Sequence, residues 1–242
     1  MKIFVISLID SLGRRERVKE ELSCVDFEFF DAVNGYLGLP DELENKVNDT
    51  HRKIFRSRPL TPGERGVYAS HYQLWERCVE LGVPIVILED DFKKTQYFKN
   101  VIEHLSVLAE EYDYVRLEPQ FTKGSSIGFD GAVEKVLWLD NSKGATGYMV
   151  TPQGAEKFLN ASRQWKCSVD NFISETYLHG VPSVGIIPYA IYAPNDMEST
   201  IQGKAKLSKV PLLFKLTREL YRFYRFILML LWNRKMYKKL KC

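Results

Sequence analysis

An α/β fold is predicted: one sheet flanked by helices, followed by a basic amphipathic helix at the C-terminal end. Three observations carry this. Short apolar runs and helix-period segments alternate along the first 190 or so residues, the pattern of a sheet that binds ligands at the carboxyl ends of its strands. Pro84-Ile85-Val86-Ile87-Leu88 is apolar throughout, as a central strand covered on both faces would be. Charge is split along the chain. Residues 203–242 carry twelve Lys/Arg and one acid, Glu219; of the chain's 34 Lys/Arg and 31 Asp/Glu this leaves 22 and 30 in 1–202, a body at −8 beside a tail at +11. Residues 1–203 therefore read as one domain and 204–242 as a separate electrostatic object.

At 242 residues with 45% hydrophobic content the chain can bury a sizeable core. Cys24, Cys78, Cys167 and Cys242 are widely spaced with no C-x-x-C pair, which suggests neither a zinc cage nor a disulfide framework and fits a reducing cytoplasm. The opening apolar stretch meets Asp10 and Arg14 too soon to be a signal peptide or spanning helix.

Taken in order, 3–8 reads as a first buried strand, 11–21 as a helix rich in Arg14, Arg15 and Arg17, and 27–30 as a second short strand. Residues 34–59 are polar and turn-rich, an excursion placed to cover a site. Thr61-Pro62-Gly63-Glu64 is a helix start: Thr61 can cap, Pro62 suits the first helical position and Glu64 completes a capping box. Val67, His71, Leu74, Trp75 and Cys78 then recur at helical spacing until Gly82 and Pro84 end the helix. Beyond the apolar run, 112–117 reads as a strand ending at Arg116 and Glu118, 136–139 and 146–150 as strands, 152–161 and 170–179 as helices and 184–187 as a late strand.

The sharpest chemical feature is Glu89-Asp90-Asp91, three consecutive carboxylates directly after an apolar strand. Like charges held together in a partly buried place repel, and a divalent cation resolves the conflict. Glu89 and Asp91, two apart, can point the same way from extended backbone, and hard oxygen ligands suit Mn²⁺ or Mg²⁺. A solvated acidic turn is the competing reading. Among the four histidines there is no H-E-x-x-H, and the chain has no Walker A sequence, G-x-G-x-x-G or G-x-S-x-G, which argues against kinases, NTPases, nicotinamide enzymes and serine hydrolases.

Several ordered blocks carry a family resemblance. Leu60-Thr61-Pro62-Gly63-Glu64-Arg65-Gly66-Val67-Tyr68-Ala69-Ser70-His71, followed by 84–91 ending in L-E-D-D, resembles the signature of glycosyltransferase family 25, the lipooligosaccharide glycosyltransferases. The opening V-I-S-L with Arg14-Arg15-Glu16-Arg17, Phe30-Asp31-Ala32-Val33-Asn34-Gly35, Gly144-Ala145-Thr146-Gly147-Tyr148, Ser168-Val169-Asp170 and Ser199-Thr200-Ile201 resemble further blocks of that family. The likeness covers about 1–203 and is closest to bacterial β-1,4-galactosyltransferases. Leu12-Gly13 depart from it by interrupting the usual D-R-x-x-R spacing.

The resemblance implies a GT-A-like, Rossmann-related mixed sheet over 1–203 and a metal-dependent, inverting transfer of galactose from UDP-galactose to a lipooligosaccharide or lipopolysaccharide. On it, Glu89 and Asp91 are the metal pair, with Mn²⁺ or Mg²⁺ at the donor diphosphate. Ser7, Leu8, Arg14, Arg17, Asn34, Asp90 and Arg116 are the donor-binding candidates, and Gly144, Thr146 and His179 the acceptor-side or other site candidates. A base must take the acceptor proton. Asp170 is the candidate, N-capping is its competing explanation, and Glu118 and Asp140 are the alternatives. His71, on the apolar face of the 62–81 helix, reads as a core histidine.

In the tail, Lys215, Arg218, Arg222 and Arg225 fall on one helical face with Leu216, Leu220, Phe223, Ile227 and Trp232 around the rest. The uncharged stretch 226–232 is too short to span a bilayer, so the expectation is a helix in the headgroup region of an anionic membrane, on the cytoplasmic side of a bacterial inner membrane. A C-terminal helix packed on the body is the alternative. Nucleic acid is not an expected partner, because the acidic body would repel its phosphates. Two other function classes stay open: a metal-dependent nucleotide-sugar hydrolase, and a membrane-recruited scaffold with an inert acidic motif.

Overall fold

The computed structural model describes residues 1–119, 124–139, 144–194 and 211–241. Asp140, Ser199-Thr200-Ile201 and the 203/204 boundary lie outside the described residues.

The chain opens with β1 (Lys2–Ser7), α1 (Leu12–Glu21) and β2 (Glu28–Asp31), continues through α2 (Asp41–Glu44) and α3 (Asp49–Arg56), and enters the long α4 (Pro62–Leu81). Next come β3 (Ile85–Glu89), β4 (Lys93–Lys94), α5 (Phe98–Glu111), β5 (Tyr114–Arg116), β6 (Gly124–Asp130), β7 (Val133–Trp138) and β8 (Gly147–Val150). The body closes with α6 (Pro152–Ala161), α7 (Val169–Ser174), α8 (Thr176–His179), β9 (Val184–Ile187) and β10 (Ile191–Tyr192), and α9 (Leu212–Lys241) follows. Eight strands form one mixed sheet in the order β2-β1-β3-β8-β5-β9-β7-β6, and β10 pairs with β4 in a small ribbon. β1, β2 and β3 run parallel, β8 lies antiparallel between β3 and β5, and β5 runs parallel to β9.

Alternation along the central strands builds a core on each face. Phe4, Ile6, Ile85 and Ile87 join Trp75, Tyr148, Phe158 and Trp165 on one side, under α4 and α6. Ile3, Val5, Val86 and Leu88 join Val18, Phe98, Val101 and Leu105 on the other, under α1 and α5.

Local chemistry fixes α4. Thr61 Oγ1 accepts from the Glu64 N–H at 3.2 Å, the Thr61 N–H donates to Glu64 Oε2 at 2.8 Å, and Gly82 ends the helix at φ 65°. Loss of such a cap costs about 1 kcal/mol. The loop after β2 rests backbone on backbone against this first turn. A Cβ on Gly35 would lie 1.8 Å from Pro62 O, and one on Gly66 would lie 2.4 Å from Val33 O, so only glycine fits at either place.

The structure departs from the sequence reading in four places. The excursion 34–59 contains two helices, and Asn48 caps the second by accepting from the His51 N–H at 2.9 Å. α5 and the β6 strand paired with β7 are additions. The expected 170–179 helix breaks at Glu175, whose φ −79°, ψ 59° is not helical, into α7 and α8. The terminal helix reaches Lys241 and packs on the body, touching α3, α8 and β6.

That packing reorients the tail. Thr217 Oγ1 donates to Ile54 O, Asn233 Nδ2 donates to Leu139 O at 2.6 Å, and Met236 is buried. Arg218 and Arg225 turn towards the body rather than outward, and Trp232 is half-buried. The opposite face of α9 exposes Leu212, Leu216, Leu220, Phe223, Phe226 and Leu231. Among the described residues no helix is long and apolar enough to cross a membrane.

Candidate active site

The three parallel strands end on one rim. Register pairs Ile6 with Glu89 and Ser7 with Asp31, so the residues after β1, β2 and β3 meet at their carboxyl ends, where open α/β sheets bind ligands. A cleft of about 110 Å³ opens there. It brings together seven residues singled out from the sequence, Ser7, Leu8, Arg14, Asn34, Glu89, Asp90 and Asp91, and adds Tyr36, Gly63, Val67 and Ser70. Tyr36 stands out of the surface beside Asn34, whose Oδ1 accepts the Tyr36 N–H at 3.0 Å.

The three acidic residues have different situations. Asp90 is held on both oxygens: Ser7 Oγ donates to Oδ2 and Arg14 Nη1 to Oδ1, each at 2.7 Å. Arg17 donates to the carbonyls of Asp90 and Phe92, the latter at 2.6 Å, and so holds the turn's backbone. Asp90 and Arg17 are thereby struts of the acidic turn, pinned to β1 and α1.

Glu89 and Asp91 are the strained pair. Burial first, then the charges of Glu118, Asp170 and Asp90, push the Glu89 carboxyl up to about 8. Burial, Glu89 and Asp90 push Asp91 up to about 7, and Asp91 Oδ1 is buried with no hydrogen-bond partner among the described residues. Among the described residues no group of three or more His, Cys, Asp or Glu is arranged to hold a metal ion. Two carboxylates with an orphaned oxygen nevertheless fit a cation such as Mg²⁺, which is commonly held by one or two carboxylates together with substrate phosphates and water.

His71 is tied to this pair. Trp75 Nε1 donates to Tyr148 Oη at 2.9 Å, and Tyr148 Oη lies 2.8 Å from His71 Nδ1. Tyr148 Oη accepts from the indole and has His71 Nδ1 within reach as an acceptor for its own proton; that arrangement places the imidazole proton on Nε2, 3.2 Å from Glu89 Oε1. Burial holds His71 neutral, with its pKa down at about 3. This fully buried histidine therefore belongs to the core, as its position on the helix suggests, and also orients Glu89. The 18-residue gap between them conceals the link in the sequence.

The remaining candidates divide. Arg116 is fully buried and donates through Nη2 to Glu118 Oε1 at 2.6 Å and to Gly144 O at 2.8 Å; Glu118 Oε1 also accepts the Thr146 N–H at 2.9 Å. Gly144 has φ 76°, and a Cβ there would sit 3.1 Å from Glu118 Oε2. Arg116, Glu118, Gly144 and Thr146 thus form a closed buried knot beside the rim. Glu89 N donates to Thr146 O at 2.8 Å, which joins the knot to the acidic turn. Asp170 lies within electrostatic reach of Glu89 and His71 and is only half-buried. It is the second residue of α7, where Ser168 stands at the N-cap without a side-chain cap bond and Asp170 Oδ1 accepts the Asn171 N–H at 2.7 Å, so a helix-terminus role competes with a role in the site. His179 is not brought to the cleft. Its ring packs edge-on against Phe158 at 4.7 Å, Nε2 faces Ile173 O, Nδ1 accepts the Val181 N–H, and burial lowers its pKa to about 4.

Comparison with known proteins agrees with the resemblance. Residues 1–173 match the sequence profile of glycosyltransferase family 25 (LPS biosynthesis protein). Procollagen galactosyltransferase 1-B of Xenopus laevis is 29% identical over 192 residues, covering 73% of this chain and 31% of that protein. Procollagen galactosyltransferase 2 of Homo sapiens is 26% identical over 189 residues, covering 73% of this chain and 30% of that protein. The lipooligosaccharide biosynthesis protein lic2B of Haemophilus influenzae is 39% identical over 92 residues, 36% of this chain and 32% of that protein. The chain thus spans about a third of the length of these relatives. With a profile match running from the first strand into α7, through the acidic turn and the helix that supports it, the chain belongs to glycosyltransferase family 25.

Proposed function

We propose that the chain is an inverting glycosyltransferase with a GT-A-like fold. It moves galactose from UDP-galactose onto the oligosaccharide of a lipooligosaccharide or lipopolysaccharide. One observation carries the reading: the cleft at the strand ends holds two carboxylates, Glu89 and Asp91, pushed towards protonation by burial and neighbouring carboxylates, beside Arg14, Asn34 and an exposed Tyr36. Galactose and the lipooligosaccharide acceptor follow from what the relatives' names say of them.

In this reading Glu89 and Asp91 hold Mn²⁺ or Mg²⁺, which when bound neutralises charge on the donor's diphosphate and on the departing UDP. Tyr36 offers a ring face to the base, and Asn34 and Ser7 line the donor's path. Asp90, clamped by Ser7 and Arg14, keeps the acidic turn rigid. His71 holds Glu89 in one orientation. Asp170 takes the proton from the acceptor hydroxyl, because the carboxylates at the diphosphate are occupied and Glu118 is locked to Arg116 and Thr146.

The chain works on the cytoplasmic face of a bacterial inner membrane, against anionic lipid. What supports this is the outward apolar stripe of α9 flanked by basic residues; the stripe, more than the arginine face, makes the contact. A panel of nucleotide sugars in a thermal-shift assay, with and without Mn²⁺, tests the donor. The expected result is a stabilisation by UDP-galactose that depends on the cation and is lost in Asp91→Asn. Equal shifts with and without cation, or none with any UDP-sugar, would overturn the reading.

A further inference from the structure

Apart from the acidic cleft, residues of α3 and α9 line a cavity of about 200 Å³. A single water needs roughly 10–15 Å³ on this scale, so a polyatomic ligand fits. Five arginines line it: Arg52 and Arg56 from α3, and Arg218, Arg222 and Arg225 from α9, with Asn171 at its edge. It shares no lining residue with the donor cleft.

These guanidiniums outnumber their carboxylates. Arg56 and Arg225 both meet the single oxygen Oε1 of buried Glu175. Arg218 and Arg222 share Glu219. Arg52 reaches Glu64 only at 3.3 Å, since that carboxylate is taken by Arg58 at 2.6 and 2.8 Å. Asp170 lies within electrostatic reach of Arg58. His51 adds no charge of its own: burial first, then Lys166, Arg56 and Arg52, lower its pKa to about 4.

Nor are the donors satisfied. The Nε atoms of Arg52, Arg56 and Arg225 are buried with no hydrogen-bond partner among the described residues, and the side chains of Arg52 and Arg56 are 7% and 9% exposed. A guanidinium cannot shed its proton to escape such a place. An Nε–H with the neighbouring Nη–H forms the two-pronged edge that grips a phosphate. In all three the neighbouring Nη2 already meets Glu64 or Glu175, so what the cluster shows is an excess of N–H donors over carboxylate oxygens.

We propose that this cavity is a second anion site that takes a phosphomonoester or diphosphate group, separate from the donor and borne by the acceptor, by a lipid headgroup or by phosphate in solution. Both sites border the start of α7: Asp170 is within electrostatic reach of Glu89, and Asn171 lines the arginine cavity. A phosphate held there would fix an acceptor next to Asp170 and fasten α9 to the body.

Isothermal titration of the full chain with inorganic phosphate and pyrophosphate, in metal-free buffer, tests this. Arg218→Gln/Arg222→Gln removes one half-buried and one exposed arginine that share Glu219 as their carboxylate and should weaken binding at least about tenfold with an unchanged melting temperature. Glu219→Gln removes the competing carboxylate and should tighten it. UDP binding should be unaffected in both. Phosphate affinity within twofold of wild type in the double variant, or competition between phosphate and UDP, would overturn the site. Vesicles of phosphatidic acid and of phosphatidylglycerol, matched in surface charge, separate the sources. A preference for the monoester vesicles that phosphate displaces and the double variant lacks assigns a lipid-borne group, whereas equal vesicle binding with an intact titration assigns phosphate in solution.

Discussion

The acidic rim and the arginine cavity are opposite solutions to one problem, an excess of like charge in a poorly solvated place. Carboxylates can retreat. Glu89 and Asp91 rise to about 8 and 7 and take up protons when no cation is near. Arginines cannot retreat, so α3 and α9 share Glu175 and Glu219 between pairs and leave three Nε donors unmet among the described residues. A buried charge excess is thus readable in two ways, as a displaced titration where the group can neutralise itself and as orphaned hydrogen-bond donors where it cannot.

The largest effect expected from breaking this pattern is at Asp91. Asp91→Asn keeps the shape and removes a charge the site is proposed to use, so turnover should fall below detection in a radiolabelled transfer assay, while the melting temperature in chelator should rise because repulsion from Glu89 and Asp90 is relieved. Next comes Asp170, set between the two sites. Asp170→Asn should slow transfer by roughly 10²–10⁴-fold with donor affinity intact in equilibrium titrations; near-normal turnover would hand the base role elsewhere.

On the arginine side, Glu175→Gln leaves near-buried Arg56 and half-buried Arg225 without their shared carboxylate and should cost about 3 kcal/mol of stability, seen as a lower urea midpoint. Added phosphate should recover part of that loss. The smallest effect is with pH. A buried acid whose folded pKa is raised contributes its stability below the unfolded value and loses it as pH climbs through the folded one. In cation-free buffer the melting temperature should therefore decline as pH rises from about 4 through the 7 and 8 of Asp91 and Glu89, and Glu89→Gln should flatten the decline.

The acidic side is much the more legible of the two in sequence. Thr61-Pro62-Gly63-Glu64 announces α4, and Pro84–Leu88 followed by three acids announces a rim, because caps and abrupt polarity changes are local signals. α5 is written there too, since Phe98, Val101, Leu105 and Leu108 fall at helical spacing and are all buried. Other features need the third dimension. Arg52 and Arg56 look like ordinary solvated charges until α9, some 160 residues on, closes over them. Arg218 and Arg225 belong to a basic helical face in any helical wheel, yet Glu175 draws Arg225 inward, which no periodicity could reveal. His179 has the composition of a potential ligand, and the aromatic ring of Phe158 claims it instead.

Trp75 governs more than the space it fills. Its indole lies wholly inside the core, and a hydropathy-minded substitution, Trp75→Phe, would rank as a modest repacking. The single N–H it gives to Tyr148 nevertheless occupies one lone pair of that oxygen and so favours one sense for the protons between there and the rim. Without it, Tyr148 could turn its hydrogen away, His71 could adopt its other tautomer, and the nitrogen facing Glu89 would change from donor to acceptor. The protein's interior therefore has a polarity as well as a shape, and variation at an indole far from solvent would be inherited as a change in how Glu89 is held.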